Sequence, residues 1–180
     1  MKKSLLRKML LTALFAAFTA AGAILHIGDA SLQSMFSVAS GILLGPVWGP
    51  MSQLLYVGMG LMGVPIFLEG GGPMYAVHPT FGFLIGMILA SFVSGILAEK
   101  TEWNIWLVAA LGFLSVYVTG FPFLYFISKY YYKTEGMSLF IAFKMAIVYI
   151  PMDFGKLCVT APLSKKLLPV IRKDLYINTL

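Results

Sequence analysis

The 180-residue chain is 59% hydrophobic and only 11% charged, with a mean hydropathy of +0.89 and a formal net charge of +6. Soluble domains carry about 25% charged residues, so a water-dissolved domain is excluded and the class is integral membrane protein. The apolar runs are long and continuous, not the short alternating segments of a transmembrane barrel, so the expected fold class is all-α. The single cysteine, Cys158, rules out a disulfide within the chain.

A basic head at 1–8, with Lys2, Lys3, Arg7 and Lys8, precedes an apolar helix over about 9–27. The head and the small residues Ala21 and Ala23 also suit a secretory signal peptide. The apolar run is long for one, and everything after it is equally membrane-like, so it reads as the first spanning helix. A polar break at 28–32, holding Asp29, leads to a helix over 33–44. Gly45-Pro46 ends it, since proline cannot continue the helical ladder and glycine suits the turn. The next helix covers 49–63. Residues 64–79 hold three prolines and three consecutive glycines, and form an extracellular loop or re-entrant segment. Helices over 80–98 and 105–128 follow, separated by a polar turn, the second with a kink at Pro122. KYYYKTEG, Lys129 to Gly136, is an interfacial connector with an aromatic belt. A last helix over 138–163 is bent or broken at Pro151 and Pro162, and a basic tail, 164–180, closes the chain.

This is a single membrane domain, 1–180, built as a compact bundle of six transmembrane helices with both termini on one side. The short helices 33–44 and 49–63 fit a tilted or partial pair. One side would hold Lys2, Lys3, Arg7, Lys8, Lys100, Lys165, Lys166, Arg172 and Lys173, and the other Lys129 and Lys133. Nine cations against two place both termini in the cytoplasm of a multi-pass plasma-membrane protein. The positive charge then reports orientation, not nucleic-acid binding.

Small residues recur at four-residue spacing, which lets helix backbones approach closely. Gly82, Gly86, Ser91 and Gly95 suit packing within the bundle. Ala13, Ala17 and Ala21, with Ala16 and Ala20 beside them, give the first helix a wide alanine face for either packing or a partner protein.

Asp153 and Lys156 interrupt the last apolar run and share a helix face at i, i+3. A lone charge at mid-membrane costs at least about 2.5–3.5 kcal/mol. Pairing reduces that cost, so one reading is a structural ion pair. The other is a polar anchor for a ligand, with Lys156 drawing an anion or carbonyl and Asp153 accepting N–H donors. Pro151 supports the second, because a freed backbone carbonyl is tolerated only beside protein or a cavity. Glu69, His78 and Gln33 are further candidates on the extracellular side, each with a plain interfacial alternative. There is no GxxxxGK[ST] loop, HExxH or GxSxG, so the chain is expected to be neither an ATPase nor another enzyme, and no cofactor or metal is expected.

Gly41 to Phe67, GILLGPVWGPMSQLLYVGMGLMGVPIF, followed by Gly70 to Met87, GGGPMYAVHPTFGFLIGM, resembles the BioY family. BioY proteins are biotin-binding S components of energy-coupling factor (ECF) transporters. Pro151 to Leu157, PMDFGKL, resembles the family's P.D..K element. The resemblance implies a six-helix subunit that captures the vitamin from outside. It also implies a membrane coupling protein and two ATPases as partners, with Ala13, Ala17 and Ala21 facing the coupling protein. It places Asp153 and Lys156 at or near the ureido ring, and sets Gly70, Gly71, Gly72 and Thr80 in the binding loop. The family's GPT reads His78-Pro79-Thr80 here, and Glu69 replaces a small or apolar residue. If those side chains face the pocket, the alternative is a different small carboxylate ligand. A structural subunit without a ligand is the alternative from another class.

Overall fold

The computed structural model describes residues 2–27, 30–100, 103–134, 138, 140–141, 144 and 149–176. Among these residues five long helices carry the fold: α1 (Lys2–Ile24), α2 (Gln33–Leu61), α3 (Phe81–Lys100), α4 (Ile105–Phe126) and α5 (Ile150–Tyr176). A two-residue antiparallel pair, β1 (His26–Ile27) and β2 (Ala30–Ser31), joins α1 to α2. Asp29 and most of 135–148 lie outside the described residues. Among the described residues, three helices are long and apolar enough to cross a membrane: Ser4–Ile24, Phe81–Lys100 and Ile105–Tyr131. The expected six spans are therefore not all established. α2 is interrupted at Gly45, leaving halves shorter than a single span, and α5 carries Asp153, Lys156, Lys165, Lys166 and Arg172 along its length.

The break at Gly45-Pro46 follows from the backbone. Gly45 adopts φ 82° and ψ −178°, a conformation that residues with a Cβ avoid. Pro46 lacks the N–H that would meet the Ile42 carbonyl four residues earlier. The Arg172 guanidinium supplies a replacement: its Nη2 donates to the Ile42 oxygen at 3.2 Å.

Prolines elsewhere act differently from expectation. Pro151 lies in the first turn of α5, where a missing N–H has no intrahelical partner to lose. It is therefore not a mid-helix break, and its freed carbonyl no longer supports a cavity. α5 runs through Pro162 and Pro169 to Tyr176, and α4 runs through Pro122 into a π-turn at Ile127–Tyr131. The stretch 164–176, expected as a tail, continues α5 because Leu167, Leu168 and Ile171 pack on Phe15, Leu43 and Leu44.

α2 is central, with α1 on one side, α3 and then α4 on the other, and α5 across α2 and α4. One apolar core joins Val38 and Ile42 to Ala90, Val108, Phe113, Val116 and Ala161. Large apolar side chains such as Leu10, Leu114 and Val118 are exposed, whereas Thr19, Ser40, Ser52, Gln53 and Ser91 are buried. This inverts the soluble pattern. With lipid outside, helices gain little by hiding leucine, and are held by close contact and hydrogen bonds. Gln53 Nε2 reaches Thr19, Ser40 and Ser52 at 3.0–3.3 Å, and the Ser40 and Ser91 hydroxyls meet at 2.9 Å, so one network ties α1, both halves of α2, and α3. The small-residue stripe of α3 packs inside the bundle, with Gly95 against Gly45-Pro46 and Gly86 against Val116 of α4.

Candidate ligand-binding site

A cavity of about 380 Å³ opens at the end of the bundle where α2, α3 and α5 begin and α4 ends. That volume is in the range of small-molecule sites. Its walls are largely apolar, with Leu84, Met87, Val116 and the ring pair Phe83–Phe121. Two polar clusters face into it.

The deeper cluster is centred on α5. Lys156 Nζ donates to Asp153 Oδ1 at 2.8 Å and to Ser34 Oγ of α2 at 3.0 Å. The Tyr117 hydroxyl of α4 donates to the other carboxylate oxygen, Oδ2. Both charged side chains are largely buried, Lys156 at 12% exposure and Asp153 at 13%. One helix turn brings them together, and α2 and α4 fix their free valences. Beside them, Tyr56 donates to the Gln33 side-chain oxygen at 2.9 Å. The Gln33 amide group must therefore present its N–H donors elsewhere, and Gln33 lines the cavity.

The rim cluster lies in the loop before α3. The His78 ring stacks on Tyr75 with centroids 4.7 Å apart, and its Nε2 is 3.1 Å from Glu69 Oε2. Thr80 Oγ1 is 2.8 Å from His78 Nδ1 and 3.1 Å from the Tyr75 hydroxyl. The Thr80 N–H also points at Nδ1, at 3.4 Å, so Nδ1 accepts and the ring proton sits on Nε2, donated to Glu69. Burial, more than the nearby Glu69 charge, raises the Tyr75 pKa above the usual phenol value, so Tyr75 stays a neutral donor.

Residues 1–173 match the family model described as BioY family. A probable biotin transporter BioY of Lysinibacillus sphaericus is 33% identical over 91% of this chain and 88% of its own length. The biotin transporter BioY of Thermotoga maritima is 31% identical over 90% and 96%. This chain belongs to the BioY family. A crystal structure of the S-component for biotin from an ECF-type ABC transporter shares the fold at a TM-score of 0.80, with 23% identity and 93% of each chain covered. A transporter family with apolar spanning helices makes the chain a membrane protein.

In this BioY chain the structure gathers six of the expected ligand-binding residues, Asp153, Lys156, Gln33, Thr80, His78 and Glu69, around one cavity. Gly70, Gly71 and Gly72 are not among its lining residues. Gly70 and Gly72 take φ 112° and 109°, and with the Phe67–Gly70 bridge they turn the loop so that Glu69 and Tyr75 reach the rim. Ala13, Ala17 and Ala21 are exposed on α1, opposite the buried Ala16, Thr19 and Ala23. Sequence reasoning missed Tyr117, Ser34 and Tyr75. Tyr117 carried a weak signal, a hydroxyl in the middle of an apolar helix; Ser34 carried none.

Proposed function

We propose that this chain is the substrate-binding subunit of an ECF-type importer and captures biotin from outside the cell. The observation that carries the reading is the Asp153–Lys156 pair, held by Tyr117 and Ser34 in an otherwise apolar cavity of a BioY-family chain. A structural ion pair needs no cavity. Biotin's ureido group offers N–H donors and a carbonyl acceptor. Asp153 accepts the donors, and Lys156, with two of its three N–H groups already placed, gives the third to the carbonyl. The thiophane ring and aliphatic chain suit the apolar walls.

The test is calorimetric titration of the purified protein in detergent with biotin, and with a short aliphatic carboxylate as competitor. Saturable biotin binding, insensitive to the competitor, supports the reading. Preference for the carboxylate would favour a different ligand, the alternative raised by His78 and Glu69 on the rim. Tyr117→Phe removes one charge-assisted hydrogen bond from Asp153 and is expected to weaken biotin about tenfold.

Uptake depends on a membrane coupling protein and two ATPases, because the sequence carries no GxxxxGK[ST] loop of its own. The exposed Ala13, Ala17 and Ala21 form the flat face for the coupling protein, both termini lie in the cytoplasm, and six spans complete the bundle. Ala17→Phe is expected to abolish co-purification with the coupling protein and ATPases while leaving biotin affinity within twofold, measured by pull-down and titration on the same preparation.

A further inference from the structure

Biotin carries a carboxylate, and among the described residues that line the cavity there is no spare cation for it. This inference rests on the biotin reading and concerns the other end of the ligand. The formally charged lining residues are Glu69, Asp153 and Lys156, and His78 is the remaining described lining residue able to become a cation. Lys156 is already neutralised by Asp153 at 2.8 Å. With His78 neutral the described lining residues sum to one negative charge, Glu69 at −1 and Asp153 at −1 against Lys156 at +1. A ligand carboxylate reaching the rim meets Glu69 there with no cation to offset it, a repulsion that solvent screens in part because the Glu69 side chain is 54% exposed. The phenols facing the same space, Tyr75, Tyr117 and Tyr149, add no positive charge.

We propose that ligand binding takes up one proton from solvent onto His78 Nδ1, making an imidazolium that offsets both Glu69 and the ligand carboxylate. The rim hydrogen bonds are arranged for either state. In the neutral ring, the Thr80 hydroxyl donates to Nδ1 and accepts from Tyr75. Once Nδ1 carries a proton, it donates to Thr80 Oγ1 across the same 2.8 Å, and the Thr80 hydroxyl proton turns toward the cavity. Nε2–H keeps Glu69 throughout. The hydrogen bond given up is that from the Thr80 N–H, the longest of the set at 3.4 Å. Protonation thus adds a cation and re-aims a donor at the rim, without stranding Tyr75 or Glu69.

Proton uptake is read directly by titrating biotin at one fixed neutral pH in several buffers of different ionisation enthalpy. The slope of observed enthalpy against buffer enthalpy counts the protons taken up. The expected slope is a clear positive fraction, up to one, for biotin on the wild type, and near zero for biotinamide, which lacks the carboxylate. His78→Asn is expected to bring the biotin slope to near zero and to weaken biotin about tenfold more than it weakens biotinamide. Tight biotin binding with no uptake overturns the proposal and leaves the biotin reading standing. Equal uptake for biotin and biotinamide, or uptake that persists in His78→Asn, also overturns it, placing the proton on another group such as Asp153. No binding of either compound removes the biotin reading, and the proposal with it.

Discussion

Asp153→Asn is expected to weaken biotin binding about 30- to 1,000-fold, the equivalent of about 2–4 kcal/mol for breaking a desolvated charge pair. Asparagine keeps the volume and one acceptor oxygen, so the Tyr117 hydroxyl retains a partner. What goes is the charge. Lys156, at 12% exposure, then has Ser34 as its remaining polar neighbour among those the structure shows. The ureido N–H donors also meet a weaker acceptor. Part of the loss is thus direct, and part is the cost of leaving Lys156 buried without a counter-charge. The double variant Asp153→Asn with Lys156→Met separates the two. Removing both charges should return the unfolding temperature close to that of the wild type, because no unpaired charge remains, yet biotin affinity should stay low. Binding by the single variant within threefold of the wild type would make the pair a structural tie and sink the ligand-anchor reading.

How much of this site was legible depends on how far apart its parts lie in sequence. Asp153 and Lys156 are one turn apart in an apolar run, where an unexplained charge is costly, so composition alone flags them. Tyr117 reaches Asp153 across 36 positions and Ser34 reaches Lys156 across 122, and no local pattern reports such contacts. Glu69 and His78 were visible as charged or titratable residues in a Gly/Pro-rich loop. That they pair depends on the turn at Gly70 and Gly72. The bundle was legible because apolar length and Gly45-Pro46 are local signals. Proline position was misread for a related reason: Pro151 and Pro162 look equally disruptive in a string of letters, but a proline in a helix's first turn removes nothing. The end of α5 was hidden by its charges. Lys165, Lys166 and Arg172 suggested a solvated tail, while Leu167, Leu168 and Ile171 between them form the stripe that docks on α1 and α2.

Gly41→Ala should be the most damaging of the conservative changes in the bundle. A Cβ at Gly41 would run into the Ser91 carbonyl and the Ser94 hydroxyl. The first of these is backbone, which no side-chain rotation relieves, so α2 and α3 must separate. Two interhelical bonds flank this close approach, Ser37 to the Met87 carbonyl at 2.6 Å and Ser94 to the Val38 carbonyl at 3.2 Å, and both stretch when the helices part. Overpacking of this kind costs about 1–3 kcal/mol, and the weakened bonds bring the expected total to the upper end, about 3 kcal/mol. Gly58→Ala, in the same helix, is the control. Its Cβ would meet nothing within 4 Å, so the substitution should be neutral or stabilising by up to about 1 kcal/mol through helix propensity. Denaturation midpoints in detergent give the comparison. The distinction between the two glycines is geometric, since both lie in α2 and both look like tolerable alanines in sequence. The separation should also reach the ligand, because Gln33 and Ser34 open α2, Phe83, Leu84 and Met87 lie in the first two turns of α3, and all five line the cavity. Gly41→Ala is therefore expected to weaken biotin as well as the fold, whereas Gly58→Ala weakens neither. Equal midpoints for the two variants would mean that α2 and α3 can slide apart without cost, and that close backbone approach is not what holds this pair of helices together.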